Sequence, residues 1–138
     1  MQNNVQAKFL EIGRNGCYFL CLLKIAELKL GKPLSVIDAY EKFLEKGYIK
    51  RNSFVLQPKN ILSDLCNTYV AYQWQEANYR PLPGEFIIKR YVIKLDNQEL
   101  THFVLFDYEG FEIFNPAMNS PAYRGGKVED LRVFEVGK

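Results

Sequence analysis

The chain has 138 residues, of which 48% are apolar and 25% charged, with a formal net charge of +2. This composition is that of one soluble globular domain, residues 1–138, large enough to bury a core without staples. The 18 Lys and Arg are scattered, and the longest basic runs are the pairs Lys50-Arg51 and Lys89-Arg90, read as solvated surface, so no nucleic-acid footprint is evident. Three cysteines form an odd, sparse set that points away from a disulfide framework and toward a reducing compartment. Cys17, Cys21, Cys66 and the single histidine, His102, lack the paired spacing of a zinc site, so neither metal nor cofactor is expected. Met1-Gln2-Asn3-Asn4 lacks the basic start of a signal peptide, and the longest apolar run is broken by Lys24, Glu27 and Lys29. The expectation is a cytoplasmic protein without a membrane partner.

Helices are expected first. Residues 17–30 are apolar around nearly the whole circumference, which predicts a central, buried helix. Asn15 or Gly16 is placed to cap it, and Gly31-Lys32-Pro33 to stop it. Ser35-Val36-Ile37-Asp38 resembles a capping box opening a second helix that ends near Lys46-Gly47. Pro58 suits the first turn of a third helix, Lys59 to Cys66.

Strands follow. Segments 69–74, 86–95, 101–108, 111–115 and 131–136 are rich in β-branched and aromatic residues, with a turn at Pro81-Leu82-Pro83-Gly84. Helices followed by antiparallel strands predict an α+β fold. Asn119 to Gly126 reads as a mobile loop able to lie over a site. Tyr69, Tyr72, Trp74 and Tyr79 read as core, with a ligand groove as the alternative.

Cys17 falls at the start of the first helix, where the positive dipole end stabilises a thiolate. The alternative is a small core residue, the reading also given to Cys21 and Cys66. If Glu109-Gly110 is a two-residue turn, Leu105 faces Phe114 and Val104 faces Asn115. His102 and Val104 share a face. His102 and Asn115 then become diagonal neighbours with Cβ atoms about 7–8 Å apart, within reach of a hydrogen bond that would fix the imidazole tautomer. A one-residue slip would put them on opposite faces. Nucleophile, base and orienter together are what cysteine-based acyl transfer needs.

Asn15-Gly16-Cys17-Tyr18-Phe19-Leu20-Cys21 resembles the cysteine helix of papain-like peptidases. Thr101-His102-Phe103-Val104-Leu105-Phe106 and Phe111-Glu112-Ile113-Phe114-Asn115-Pro116 resemble their histidine strand and the strand after it. The likeness is nearest to the bacterial double-glycine leader peptidases, whose strand before the histidine is similar to Pro83-Gly84-Glu85-Phe86-Ile87-Ile88. The chain also resembles a small uncharacterised family of phages and spirochaete prophages built around a Gly-Cys-x-Phe-Leu-Cys segment. The resemblance implies a papain-like fold and a peptide or related amide as substrate. Cys17 would be nucleophile, His102 general base and acid, and Asn115 orienter. The family places an oxyanion-stabilising Gln six residues before the cysteine; here that position is Glu11. Gln6 and Asn15 are the nearest amide substitutes. That departure supports a second reading, a non-catalytic binding or inhibitory module of phage origin. A third, an extracellular cell-wall amidase, would need an export route of its own. Substrate identity and oligomeric state are not legible in these residues.

Overall fold

The structure, a computed structural model, describes residues 7, 8, 10, 12, 15–117 and 120–137. Helix α1 is Cys17–Leu30, α2 Val36–Lys46 and α3 Pro58–Cys66. A small ribbon of β1 (Ile49–Lys50) and β2 (Phe54–Val55) separates α2 from α3. Strands β3 (Val70–Glu76), β4 (Glu85–Leu95), β5 (Gln98–Phe106), β6 (Glu112–Phe114) and β7 (Lys127–Val136) follow, with a short helix α4 (Pro121–Gly125) before β7. The five later strands form one antiparallel sheet in the order β3-β7-β4-β5-β6. The protein is α+β.

Helix α1 forms where the apolar run dictates. Phe19, Cys21, Leu22, Ile25 and Ala26 are wholly buried. Each large apolar side chain removed from water contributes about 1.5–3 kcal/mol. The helix stops at Gly31, whose φ of 70° is costly for a residue with a Cβ. Helix α2 starts at Ser35, whose hydroxyl accepts the Asp38 N–H at 3.3 Å. It ends with Gly47 N–H bonded to Leu44 O and Tyr48 N–H to Phe43 O, the paired bonds of a Schellman motif.

Alternation sorts the sheet into two faces. Val70, Ile88, Leu105, Phe134 and Val136 pack with α1, α2 and α3 in the main core. Ile87, Val104, Phe106, Leu131 and Val133 form a second cluster with Tyr79, Tyr91, Tyr123 and Val128. Helix α4 lies against β4 and β5, and its Tyr123 belongs to that second cluster.

Several expectations are corrected. The β5–β6 turn is not the two-residue Glu109-Gly110 turn. Asp107 pairs with Phe111 through Asp107 N–H to Phe111 O at 2.9 Å, leaving a three-residue loop. Asp107 Oδ1 accepts the N–H groups of Glu109 and Phe111, and Gly110 supplies a φ of 94°. A bulge between Leu105 and Phe106 takes up the extra residue, so Leu105 still faces Phe114. The expected loop 119–126 contains α4, because Pro121 suits a first helical turn and Gly126 sits where a Cβ would lie 2.2 Å from Ala122 O. Positions 118 and 119 lie outside the described residues.

Lys89-Arg90 is not simply solvated surface, because β4 lies inside the sheet. Lys89 sits over the Phe106 ring at 4.2 Å, and Arg90 donates to the buried carboxylate of Asp130 at 2.8 Å. Lys50 and Arg51 are exposed. Of the four aromatics read as core, Tyr72 packs on Phe134, Tyr79 hydrogen-bonds the buried Glu85, and Tyr69 and Trp74 are largely exposed.

Candidate active site

The site is assembled at the free edge of β5. Strand β6 pairs only with Leu105 and Phe106, so the edge at Phe103 is left to α1. The Cys21 thiol donates to Phe103 O across 3.7 Å, and the Tyr18 ring stacks on the Phe103 ring at 4.7 Å. These contacts bring the start of α1 beside His102.

Gly16 permits that approach. It stands at the N-cap of α1, where it has no side chain to form a capping bond. Its N–H donates to Ile12 O at 2.8 Å, and a Cβ there would lie 2.3 Å from the same oxygen. Any larger residue would push the backbone aside, so the segment before Cys17 can approach α1 this closely only with glycine.

Cys17 is half-buried, whereas His102 is 1% exposed. His102 Nδ1 lies 3.1 Å from Cys17 Sγ, and His102 Nε2 lies 2.6 Å from Asn115 Oδ1. The Ala117 N–H donates to that same Oδ1 at 3.1 Å. A backbone N–H can only donate, so it fixes which end of the Asn115 amide is oxygen. That oxygen can only accept, so Nε2 carries the ring proton and Nδ1 presents its lone pair to the thiol. The orientation of the whole relay is therefore set by one backbone amide.

The thiols differ in environment. Burial pushes the Cys17 thiol above its ordinary value, while the N–H groups of Phe103 and of Cys17 itself pull it down. Burial is the larger cause, so the net shift of the Cys17 thiol is upward. Burial holds the Cys21 thiol well above its ordinary value, and its hydrogen bond runs to a backbone carbonyl. Burial also raises the Cys66 thiol, partly offset by Lys29. Only Cys17 has a base within reach among the described residues.

The structure thus brings together Cys17, His102 and Asn115. Asn15 is exposed and stands outside this hydrogen-bonded set. Gln6, the other oxyanion candidate, and Glu11 lie outside the described residues. Two further side chains approach the site that the sequence did not single out. Tyr123 presents its ring edge-to-face to His102, with centroids 6.2 Å apart, and its hydroxyl donates to Glu112 Oε1 at 2.6 Å. The signal for Tyr123 in the sequence is the Ser120-Pro121 helix start.

A cavity of about 450 Å³ lined by Arg90, Lys94, Glu99 and Lys127 lies along the far end of β4. A second, of about 360 Å³, lies at the C-terminal end of α1 beside Cys66 and Asn67. Neither includes Cys17, His102 or Asn115. Among the described residues no group of three or more His, Cys, Asp and Glu side chains is placed to hold a metal ion, and no helix is long and apolar enough to cross a membrane.

No curated protein and no solved structure matches the chain. A family model does match, over residues 1–136 and so nearly the whole length, and its description is a protein of unknown function, DUF261. The chain belongs to the DUF261 family.

Proposed function

We propose that this protein is a papain-like cysteine hydrolase that cleaves a peptide or related amide through a thioester. The observation that carries the reading is the relay from Cys17 Sγ through both nitrogens of His102 to Asn115 Oδ1, at 3.1 and 2.6 Å. The architecture supports it as well: the thiol opens a buried helix, and the imidazole sits on an antiparallel sheet packed against that helix.

The chemistry follows from the proton inventory. As Sγ attacks the carbonyl carbon, its proton passes to His102 Nδ1, and the charge on the ring is held by Nε2–H donating to Asn115. The carbonyl electron pair moves onto oxygen, and the Cys17 backbone N–H is a candidate donor to it. Collapse of that intermediate returns the Nδ1 proton to the leaving nitrogen and leaves a thioester on Sγ. His102 then takes a proton from water, the resulting hydroxyl attacks the thioester, and the acid product leaves as Sγ is reprotonated. None of these steps calls on a metal or cofactor.

The test is cleavage itself. A complex peptide mixture incubated with the protein gains new termini, read by mass spectrometry, and Cys17→Ala and His102→Ala each abolish them. Absence of new termini from the unaltered protein, or their persistence in Cys17→Ala, contradicts the reading. The second reading, a non-catalytic binding or inhibitory module of phage origin, is favoured by one feature: the position six residues before Cys17 is Glu11, where papain-like peptidases carry an oxyanion-stabilising Gln. That module leaves the peptide mixture unchanged. Peptide or amide recognition without nucleic acid or membrane, and action in the cytoplasm, belong to the same proposal.

A further inference from the structure

A second tier of residues packs around His102, which is 1% exposed. Helix α4 is anchored there by Ala122, which is wholly buried, and by Gly126, where a Cβ would lie 2.7 Å from Val92 O. This places the Tyr123 ring against both His102 and Tyr91, with centroids 6.2 and 5.2 Å away. The Tyr123 hydroxyl reaches across to β6 and donates to Glu112 Oε1 at 2.6 Å. Having donated its one hydrogen, it retains lone pairs that can accept.

Beside that hydroxyl lies an unmatched donor. Asn115 Nδ2 is buried and has no hydrogen-bond partner among the described residues. The Tyr123 hydroxyl's pKa is raised, first by its hydrogen bond to Glu112 and then by burial, and the neighbouring Asn115 side chain offsets part of that rise. A buried orphan donor costs about 1–3 kcal/mol.

We infer that Tyr123 and Glu112 are positioning residues for the Cys17–His102 pair, forming with Asn115 a chain that ends on a carboxylate: His102 Nε2–H to Asn115 Oδ1, Asn115 Nδ2–H to Tyr123 Oη, Tyr123 O–H to Glu112. This rests on the reading of Cys17 and His102 as a reactive pair. When Nδ1 takes the thiol proton, the ring becomes cationic. The pull on Oδ1 makes Nδ2–H a better donor, and Tyr123 passes the demand to the Glu112 charge. Glu112 thus acts as a remote counter-charge without touching the ring or the substrate. The Tyr123 ring keeps water off the hydrogen bond between His102 and Asn115.

A single histidine makes the test direct, because an ¹⁵N-histidine spectrum contains one imidazole. In the unaltered protein the Nε2–H signal exchanges slowly with water. In Tyr123→Phe and Glu112→Gln it exchanges about tenfold faster, and alkylation of Cys17 by iodoacetamide at neutral pH slows by about three- to tenfold. Tyr108→Phe, outside the site, leaves both unchanged. Melting temperatures separate this effect from unfolding, which would instead raise the reactivity of the buried Cys21. Unchanged Nε2–H exchange in both variants overturns the inference. If His102→Ala does not slow Cys17 alkylation, the hydrolase reading fails, and the exchange of Nε2–H alone then decides the second tier.

Discussion

The backbone N–H of Ala117 determines which nitrogen of His102 carries the proton. Both groups donate to one atom, Asn115 Oδ1, at 3.1 and 2.6 Å. The orientation of the Asn115 amide, and with it the basic nitrogen facing Cys17, follows from a turn two residues long rather than from the catalytic side chains themselves.

Asn115→Asp and Asn115→Ala should therefore separate. Aspartate keeps an oxygen acceptor for Nε2–H and for Ala117, so Cys17 alkylation stays within about threefold of the unaltered rate. Alanine releases the ring to its other tautomer and slows the reaction by about tenfold or more. The ¹⁵N shifts of the single imidazole give the tautomer independently. Equal rates in the two variants would remove Asn115 from the relay.

Gly16→Ala tests the packing that delivers Cys17. The added carbon meets backbone atoms of Ile12, which cannot step aside as a flexible side-chain tip could. The expected loss is about 2–3 kcal/mol, at the upper end of ordinary single substitutions. Gly31→Ala is the comparison: nothing lies within 4 Å, and only the positive φ of 70° is penalised, at about 1 kcal/mol. Urea midpoints rank the two, and a smaller loss at Gly16 than at Gly31 would contradict the close approach.

Asp130 is 3% exposed and receives Arg90 Nε at 2.8 Å and Arg132 Nε at 2.9 Å. Arg132 in turn lies over the rings of Tyr18 and Phe103, the chain neighbours of Cys17 and His102. Asp130→Ala leaves two part-buried guanidinium groups without their shared acceptor. The expected cost is about 2–4 kcal/mol, with partial solvent access keeping it below the loss at a wholly buried pair. Chemical denaturation measures it, and a change below about 0.5 kcal/mol would show that water replaces the carboxylate freely.

The raised thiols fix the sign of an alkaline effect. Burial places Cys17 and Cys21 above the ordinary thiol value of 9.0 in the folded chain. Between that value and the folded one, the native state holds protons the unfolded chain has released. Stability is thus fully present below about pH 9 and falls as pH rises beyond it. Cys21→Ala flattens this decline between pH 8 and 11, measured by urea midpoints. An equally steep decline in the variant would place the cause elsewhere.

The parts of the fold carried by local signals were legible in the sequence. Helix α1 runs from Cys17 to Leu30 because its residues are apolar all round and Gly31 ends it. The ribbon at Ile49–Val55 was not anticipated: two-residue strands carry no periodicity, and its turn depends on left-handed Asn52 and Ser53, the latter tied to the hydroxyl of Tyr40. The expected pairing of His102 with Asn115 assumes a two-residue turn, which the structure replaces with a three-residue loop. Gly110 closes a longer loop, and the bulge at Leu105–Phe106 restores the register. The closeness of His102 to Cys17, 85 positions apart, depends on β6 ending early enough to leave the β5 edge to α1, which no local pattern encodes. The same holds for Tyr123, whose role is set by where α4 lands.

The most direct test is a competition among three thiols in one molecule. Limiting iodoacetamide is added at neutral pH, and the labelled cysteines are counted by mass spectrometry in the unaltered protein and in His102→Ala. The expected result is labelling of Cys17 ahead of Cys21 and Cys66, slowed by about a hundredfold when the imidazole is removed. Uniformly slow labelling of all three, indifferent to the loss of His102, would contradict a reactive cysteine–histidine pair.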